Sequence, residues 1–208
     1  MSVSAPLPSR SWLVRRRTAI GLWLAIALVG TLVFVHHSWP EEAMLDFVLD
    51  TLGYVLLVLG VLGRLWCTLY IGGRKHEELQ TTGPYSIVRH PLYVSNLLLA
   101  VGISSLSENP LVLLVVLCYF LWQYSCTIRY EEAALRVTFG HVYDEYMQRV
   151  PRFLPRFRQA DFTPPSSVNM WALRAELPRI LLFLAAIPLL ELLARLHEQG
   201  ILPYIPFP

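Results

Sequence analysis

Six short stretches gather residue types that can do chemistry together. In chain order they are Thr82-Gly83-Pro84-Tyr85, Arg89-His90-Pro91-Leu92-Tyr93, Glu131-Glu132, Phe139-Gly140, Tyr143 with Tyr146, and Val150-Pro151. Gly83-Pro84 is a turn signal. Pro91 suits the first position of a helix, where a missing N–H costs nothing. His90 then falls at the helix N-cap, beside backbone N–H groups that suit an anionic ligand. Arginine forks bind carboxylates two-handed, and tyrosine rings offer faces to cations. Each residue also has a plainer reading. Tyr85, Arg89, His90 and Tyr93 are the types that anchor helices at headgroup depth, and Glu131 and Glu132 would favour the dipole of a helix that they open. Cys67, Cys118 and Cys126 form no CxxC or Cys/His ligand cluster. His36 and His37 are adjacent, without an i,i+4 partner, and read as interface residues. No metal site is expected.

The elements that must hold these residues are apolar. Of 208 residues, 55% are hydrophobic and 15% charged, against about 45–50% and a quarter in ordinary soluble domains. Mean hydropathy is +0.48. A disordered chain and an ordinary cytosolic enzyme are disfavoured, and a net charge of +2 gives no reason to expect a nucleic-acid partner. Residues 18–35 are free of charge and about long enough to cross a bilayer. That run ends in Phe34, Val35, His36 and His37 rather than in small residues, so an uncleaved anchor is expected. A second span covers 47–70, interrupted by Asp50 and Arg64. At its depth Arg64 reads as a headgroup anchor, its stem snorkelling outward. Runs 91–107 and 111–128, split by Glu108-Asn109-Pro110, predict a tight helical hairpin. Residues 129–150 show the three- and four-residue apolar spacing of an amphipathic helix, and 151–165 read as irregular. A last segment, 180–202, spans if Glu191 and Arg195 pair four residues apart. Three regions result: 1–46 with the first span, a core over 47–155, and a Pro/Arg-rich linker with a hydrophobic helix over 156–208.

Basic residues orient the bundle. Of 17, four lie before residue 18, three between 72 and 90, and eight between 129 and 179. Basic loops stay cytoplasmic, so the amino terminus and the two chemistry-bearing segments share the cytoplasmic face. Lys75 is the only lysine among them, a usage that suggests a bacterial source and hence a bacterial inner membrane.

Taken together, the six stretches resemble the isoprenylcysteine carboxyl methyltransferase family and the related phospholipid methyltransferases. The likeness runs from about residue 66 to 155, with Arg89-His90-Pro91-Leu92-Tyr93 its most specific part. The resemblance implies an all-α, polytopic membrane helical bundle of about five transmembrane helices. It would have a hairpin and a cytoplasmic amphipathic helix, and no Rossmann fold. It implies S-adenosyl-L-methionine as cofactor, held by Glu78, Leu79, Gln80, Tyr85, His90, Pro91, Leu92, Tyr93 and Glu131, with Glu132 beside it in a catalytic role. The chain departs from the family at two points. Thr127 stands where eukaryotic members carry a substrate-facing arginine, leaving Arg129 as the nearest substitute, and Glu77 replaces a histidine before the turn, with His76 adjacent.

The implied activity is carboxyl O-methylation of an isoprenylcysteine-like or other lipid-attached acceptor. An acceptor carboxylate wants an arginine, with Arg129, Arg89 and Arg64 as candidates in that order. N-methylation of a phospholipid headgroup and a non-catalytic scaffold or small transporter remain alternatives.

Overall fold

The computed structural model describes residues 12–34, 44–72, 78–107, 109–158, 160–165 and 168–202. Val35, His36, His37, Lys75, His76, Glu77 and Glu108, named above, lie outside these. The described chain is helical without strands, in the order α1 (Trp12–Phe34), α2 (Met44–Ile71), α3 (Pro84–Ile87), α4 (Pro91–Leu106), α5 (Pro110–Phe139), α6 (His141–Arg149), α7 (Met170–Leu184) and α8 (Ala186–Glu198). Three stretches are long and apolar enough to cross a membrane: Phe47–Ile71, Pro110–Phe139 and Met170–His197. Ala19–Phe34 and Pro91–Leu106 are shorter apolar helices. Leu22, Trp23, Val58, Leu62, Leu121, Leu181 and Leu182 point outward, as lipid-facing side chains do in an integral membrane protein.

The expected hairpin is present. Asn109 caps α5 by accepting from the N–H groups of Leu111 at 3.0 Å and Val112 at 3.3 Å. Pro110 fills the first helical position, where no N–H is missed. The amphipathic segment divides differently from its expected bounds. Residues 129–139 continue α5, and only His141–Arg149 form the separate helix α6. The sequence between Ile128 and Phe139 holds no residue that breaks a helix. The break comes at Gly140, whose φ of 52° suits a residue without a Cβ. At 1.5 Å per residue α5 is about 45 Å long, which exceeds a hydrocarbon core of about 30 Å. Its far end, with Glu131 and Glu132, therefore reaches toward the polar face.

The last helix begins earlier than residue 180. Asn169 accepts from Trp171 and Ala172 N–H groups at 2.9 and 3.2 Å and starts α7 at Met170. Pro188 has no N–H to offer the Leu184 carbonyl, which accounts for the interruption at Ala185. The Glu191–Arg195 pair forms as expected, at 3.5 Å on an exposed face.

The most extensive interface joins α2 to α4, and it depends on small residues. In lipid there is little hydrophobic force between helices, so association relies on close packing. A Cβ added to Gly102 would lie 2.8 Å from the Gly53 carbonyl oxygen, and one added to Gly60 would lie 2.6 Å from Leu99 Cγ and 3.0 Å from its backbone nitrogen. Gly102→Val is therefore expected to lower stability by about 1–3 kcal/mol through overpacking, read as a fall in the detergent unfolding midpoint. Gly30→Ala, with no heavy atom within 4 Å of the new Cβ, is expected to leave that midpoint unchanged or raised.

Candidate active site

The loop that enters α4 is shaped by one glycine and held by a distant strap. Gly83 has φ 60° and ψ −132°, and its N–H donates to the Asp161 carbonyl at 2.6 Å. Ser86 Oγ donates to the Gly83 carbonyl at 2.7 Å and accepts from Asp161 N–H at 2.9 Å. Arg89 N–H donates to the Pro151 carbonyl at 2.8 Å, and Arg156 N–H to the Ile87 carbonyl at 3.1 Å. Residues 151–158 and 160–161, irregular as expected, thus lie along residues 83–89. Trp66 of α2 stacks on Phe162 just beyond them, ring centres 6.1 Å apart.

Beneath this strap sits a buried carboxylate with three cationic or potentially cationic neighbours. Glu132 accepts from Arg89 Nη1 at 2.9 Å and Arg152 Nε at 3.0 Å, and pairs again with Arg152 Nη2 through its second oxygen. His90 Nε2 sits 3.2 Å from Oε1. His90 is the N-cap residue of α4, but its ring makes no cap bond and turns toward Glu132. The hydrogen bond to Glu132, then its negative charge, raise the Arg152 pKa above its ordinary value.

Next to this cluster is a cavity of about 520 Å³, within the usual size of small-molecule sites, ~300–1,000 Å³. Glu78, Leu79, Gln80, Tyr85, His90, Pro91, Leu92, Tyr93 and Glu131 all line it. Tyr93 Oη donates to Glu131 Oε1 at 2.7 Å, and the Tyr93 ring packs on Tyr124 with centres 4.5 Å apart. Tyr146 Oη donates to the Tyr85 carbonyl at 2.7 Å, fixing the loop against α6. The Tyr85 hydroxyl is buried with no hydrogen-bond partner among the described residues. Burial raises its pKa well above the usual phenol range and pushes Tyr143 to about 12, helped by the charge of Glu132. Both rings therefore carry neutral hydroxyls at physiological pH.

Two expected residues are placed elsewhere. Arg129 is exposed and absent from the cavity wall, because two residues along a helix turn it about 200° from Thr127, which does line the wall. Glu132 is turned into the arginine cluster instead of the cavity, about 100° round from Glu131. Arg64 is also not the headgroup anchor its position suggested. It is buried and donates from Nε to Glu176 Oε1 at 2.7 Å, with a second bond from Nη2 and one from Nη1 to Asn96. Sequence reasoning missed Asn96, Tyr119, Gln123, Tyr124, Arg179 and Phe183, which line the wall with Ile71 and Leu135. Asn96 and Gln123 left a signal: each is a polar amide inside a charge-free run. Gln123 is 3% exposed, and neither end of its amide has a partner among the described residues.

These features define a helical membrane protein with a ligand-sized cavity at one end of its bundle, roofed by a loop and a strap. Comparison with known proteins gives the family. Residues 44–137 match the isoprenylcysteine carboxyl methyltransferase family. The chain is 38% identical to the nickel-cobalt-cadmium resistance protein NccN of Alcaligenes xylosoxydans over 74% of this chain and 72% of that one. It is 34% identical to the cobalt-zinc-cadmium resistance protein CzcN of Cupriavidus metallidurans over 92% and 88%. It is 30% identical to protein-S-isoprenylcysteine O-methyltransferase B of Arabidopsis thaliana over 70% and 77%. No solved structure matches. The chain belongs to the isoprenylcysteine carboxyl methyltransferase family, and that membership supports a membrane methyltransferase.

The Glu132 cluster predicts a stability effect separable from ligand binding. Glu132→Gln leaves two arginines without their anion, and breaking a buried pair costs about 3–5 kcal/mol. Because the Arg152 side chain is 42% exposed, solvent screens that part of the pair and a loss near the low end, about 3 kcal/mol, is expected. It would be measured by thermal unfolding in detergent. Under the same assay Glu131→Gln should change the midpoint much less.

Proposed function

We propose that this protein transfers a methyl group from S-adenosylmethionine to a carboxylate on a lipid-attached or lipophilic acceptor. The observation that carries the reading is the cavity itself. It joins the Tyr85–Tyr93 loop and Glu131 to the interior of three membrane-crossing stretches, so a polar donor and an apolar acceptor reach one space. When bound, S-adenosylmethionine supplies an activated methyl group, whose bond to sulfur breaks with the electron pair left on sulfur as an acceptor oxygen bonds the carbon.

The residues present suit that cofactor. Glu131 offers a carboxylate to an amino or ribose group, the Tyr93 and Tyr124 rings offer faces to a cation or a purine, and the buried Tyr85 hydroxyl and Gln123 amide need polar partners. A carboxylate acceptor is ionised at neutral pH, so these residues have no proton to remove. Their task is to hold two reactants in line and exclude water. Glu132 acts on this reading as a positioning residue, holding Arg89, His90 and the strap.

The cavity's loop end faces the cytoplasm on this reading. Arg89, Arg149, Arg152, Arg156 and Arg158 crowd that end, while the Asn109 turn at the other end has no basic residue; positive loops remain inside. A bacterial inner membrane fits the bacterial origin of two relatives. Their names refer to resistance to nickel, cobalt, zinc and cadmium, whereas the present reading rests on the cavity and its polar groups.

Calorimetry with S-adenosylmethionine, or its demethylated product, on detergent-purified protein tests the reading. Binding is expected in the parent. Glu131→Ala should weaken it tenfold or more, and Tyr93→Phe by roughly 3–10-fold for one lost hydrogen bond of about 1 kcal/mol, with unfolding midpoints held. A folded parent that binds neither compound would overturn the proposal in favour of a non-catalytic scaffold. Labelled-methyl transfer into membrane lipids separates the acceptors: an alkali-labile product is an ester, an alkali-stable one a methylated headgroup amine.

A further inference from the structure

The cavity has two chemically different ends. At the loop end are Tyr93 and Glu131. Asn96 lies one helical turn deeper on α4, and Gln123 two turns deeper on α5, about 12 Å from Glu131 at 1.5 Å per residue. At this deeper end two guanidinium groups share one carboxylate. Arg64 and Arg179 both line the cavity, and Glu176, which does not, lies behind them. Arg64 bonds one Glu176 oxygen, and Arg179 Nη1 bonds the other at 2.9 Å. The set therefore carries one net positive charge. Arg64 spends three of its five N–H donors on Glu176 and Asn96. Asn96 accepts through Oδ1, which leaves its NH₂ as donor. Opposite, the buried Gln123 amide has no partner among the described residues. Phe183 packs against the Arg64 guanidinium, 5.8 Å from ring centre to Cζ, and with Tyr119 adds aromatic wall.

We propose that Arg64 and Arg179 form the anion site for the methyl acceptor, with Asn96 and Gln123 completing its hydrogen bonds. This rests on the methyltransferase reading and deepens it. The acceptor class that fits is an amphiphile whose free carboxylate lies at the deep end of the cavity and whose apolar body extends among the membrane helices. An amine headgroup would meet a like charge there. The site takes the place of the exposed Arg129. It also separates substrate from product, because a methyl ester has no charge for the two arginines to hold.

Calorimetry of farnesylated N-acetylcysteine and of its methyl ester, on the full chain in detergent, tests the site without turnover. The acid is expected to bind at least tenfold more tightly than the ester. Arg179→Gln, a change at a side chain that is 64% exposed, should abolish most of that preference while leaving S-adenosylmethionine binding and the unfolding midpoint unchanged. Removing Arg64 alone strands Glu176, so the triple variant Arg64→Gln/Arg179→Gln/Glu176→Gln, which deletes all three charges, is the second probe. It should also lose the preference. Glu176→Gln alone should strengthen binding of the acid. Equal binding of acid and ester by the parent, or a preference that survives in both arginine variants, would overturn the anion site. Loss of S-adenosylmethionine binding by the parent would instead count against the enzyme reading.

Discussion

The Glu132 carboxylate is the tie on which the cavity's polar end depends. It is buried at the far end of a long membrane helix, and its two oxygens reach the loop through Arg89 and His90 and the strap through Arg152. The loop has little regular structure, only one short helix, so its shape comes from what holds it. Backbone bonds from Gly83, Arg89 and Arg156 to the strap, and the reverse bond from Asp161 to Ser86, reinforce the same closure. The roof over the apolar bundle is thus held by charge pairing and backbone bonding together with buried side chains, Tyr85, Ile87 and Val88 from the loop and Tyr143, Tyr146 and Val150 beside them.

The bundle below obeys a different rule. Lipid offers polar groups no hydrogen bonds, so each must find a partner inside the protein. Serine and threonine hydroxyls of α2, α4 and α5 return to their own helices: Thr68 to the Arg64 carbonyl, Ser95 to Pro91, Ser104 to Ala100, Thr127 to Gln123. Arg64 and Glu176 satisfy each other across 112 positions of sequence. The glycines of α2 and α4 let those helices approach closely enough that the Arg64 side chain reaches Asn96. Among the described residues of the bundle Gln123 is the exception, and it faces the cavity, where a ligand would meet it.

Much of this was legible in the sequence because it is written locally. The hairpin follows from Asn109 and Pro110, the loop from Gly83-Pro84, and the helix start from His90-Pro91. The Tyr85–Tyr93 stretch and Glu131 announce themselves by motif. What was not legible depends on helix phase or on distant partners. Glu131 and Glu132 are neighbours in sequence, yet about 100° of rotation sends one to the cavity and the other to the arginines. Twice that rotation, from Thr127 to Arg129, removes Arg129 from the wall. Arg64 looked like a surface anchor because its partner, Glu176, lies in a segment that reads as the end of a linker. The continuation of α5 past Ile128 was hidden by a change from apolar to amphipathic composition that does not interrupt the helix.

The cavity wall is completed by α7, which the ribosome makes after every other part of that wall. Until α7 inserts, Arg64 has no carboxylate, and the deep end stands open between α2, α4 and α5. Assembly therefore has an order. The hairpin and the loop can form from residues already synthesised, whereas the seat of the second arginine waits for α7. A bundle in which α7 failed to dock would leave the buried Arg64 without its carboxylate, the costly condition of a buried charge that has lost its partner.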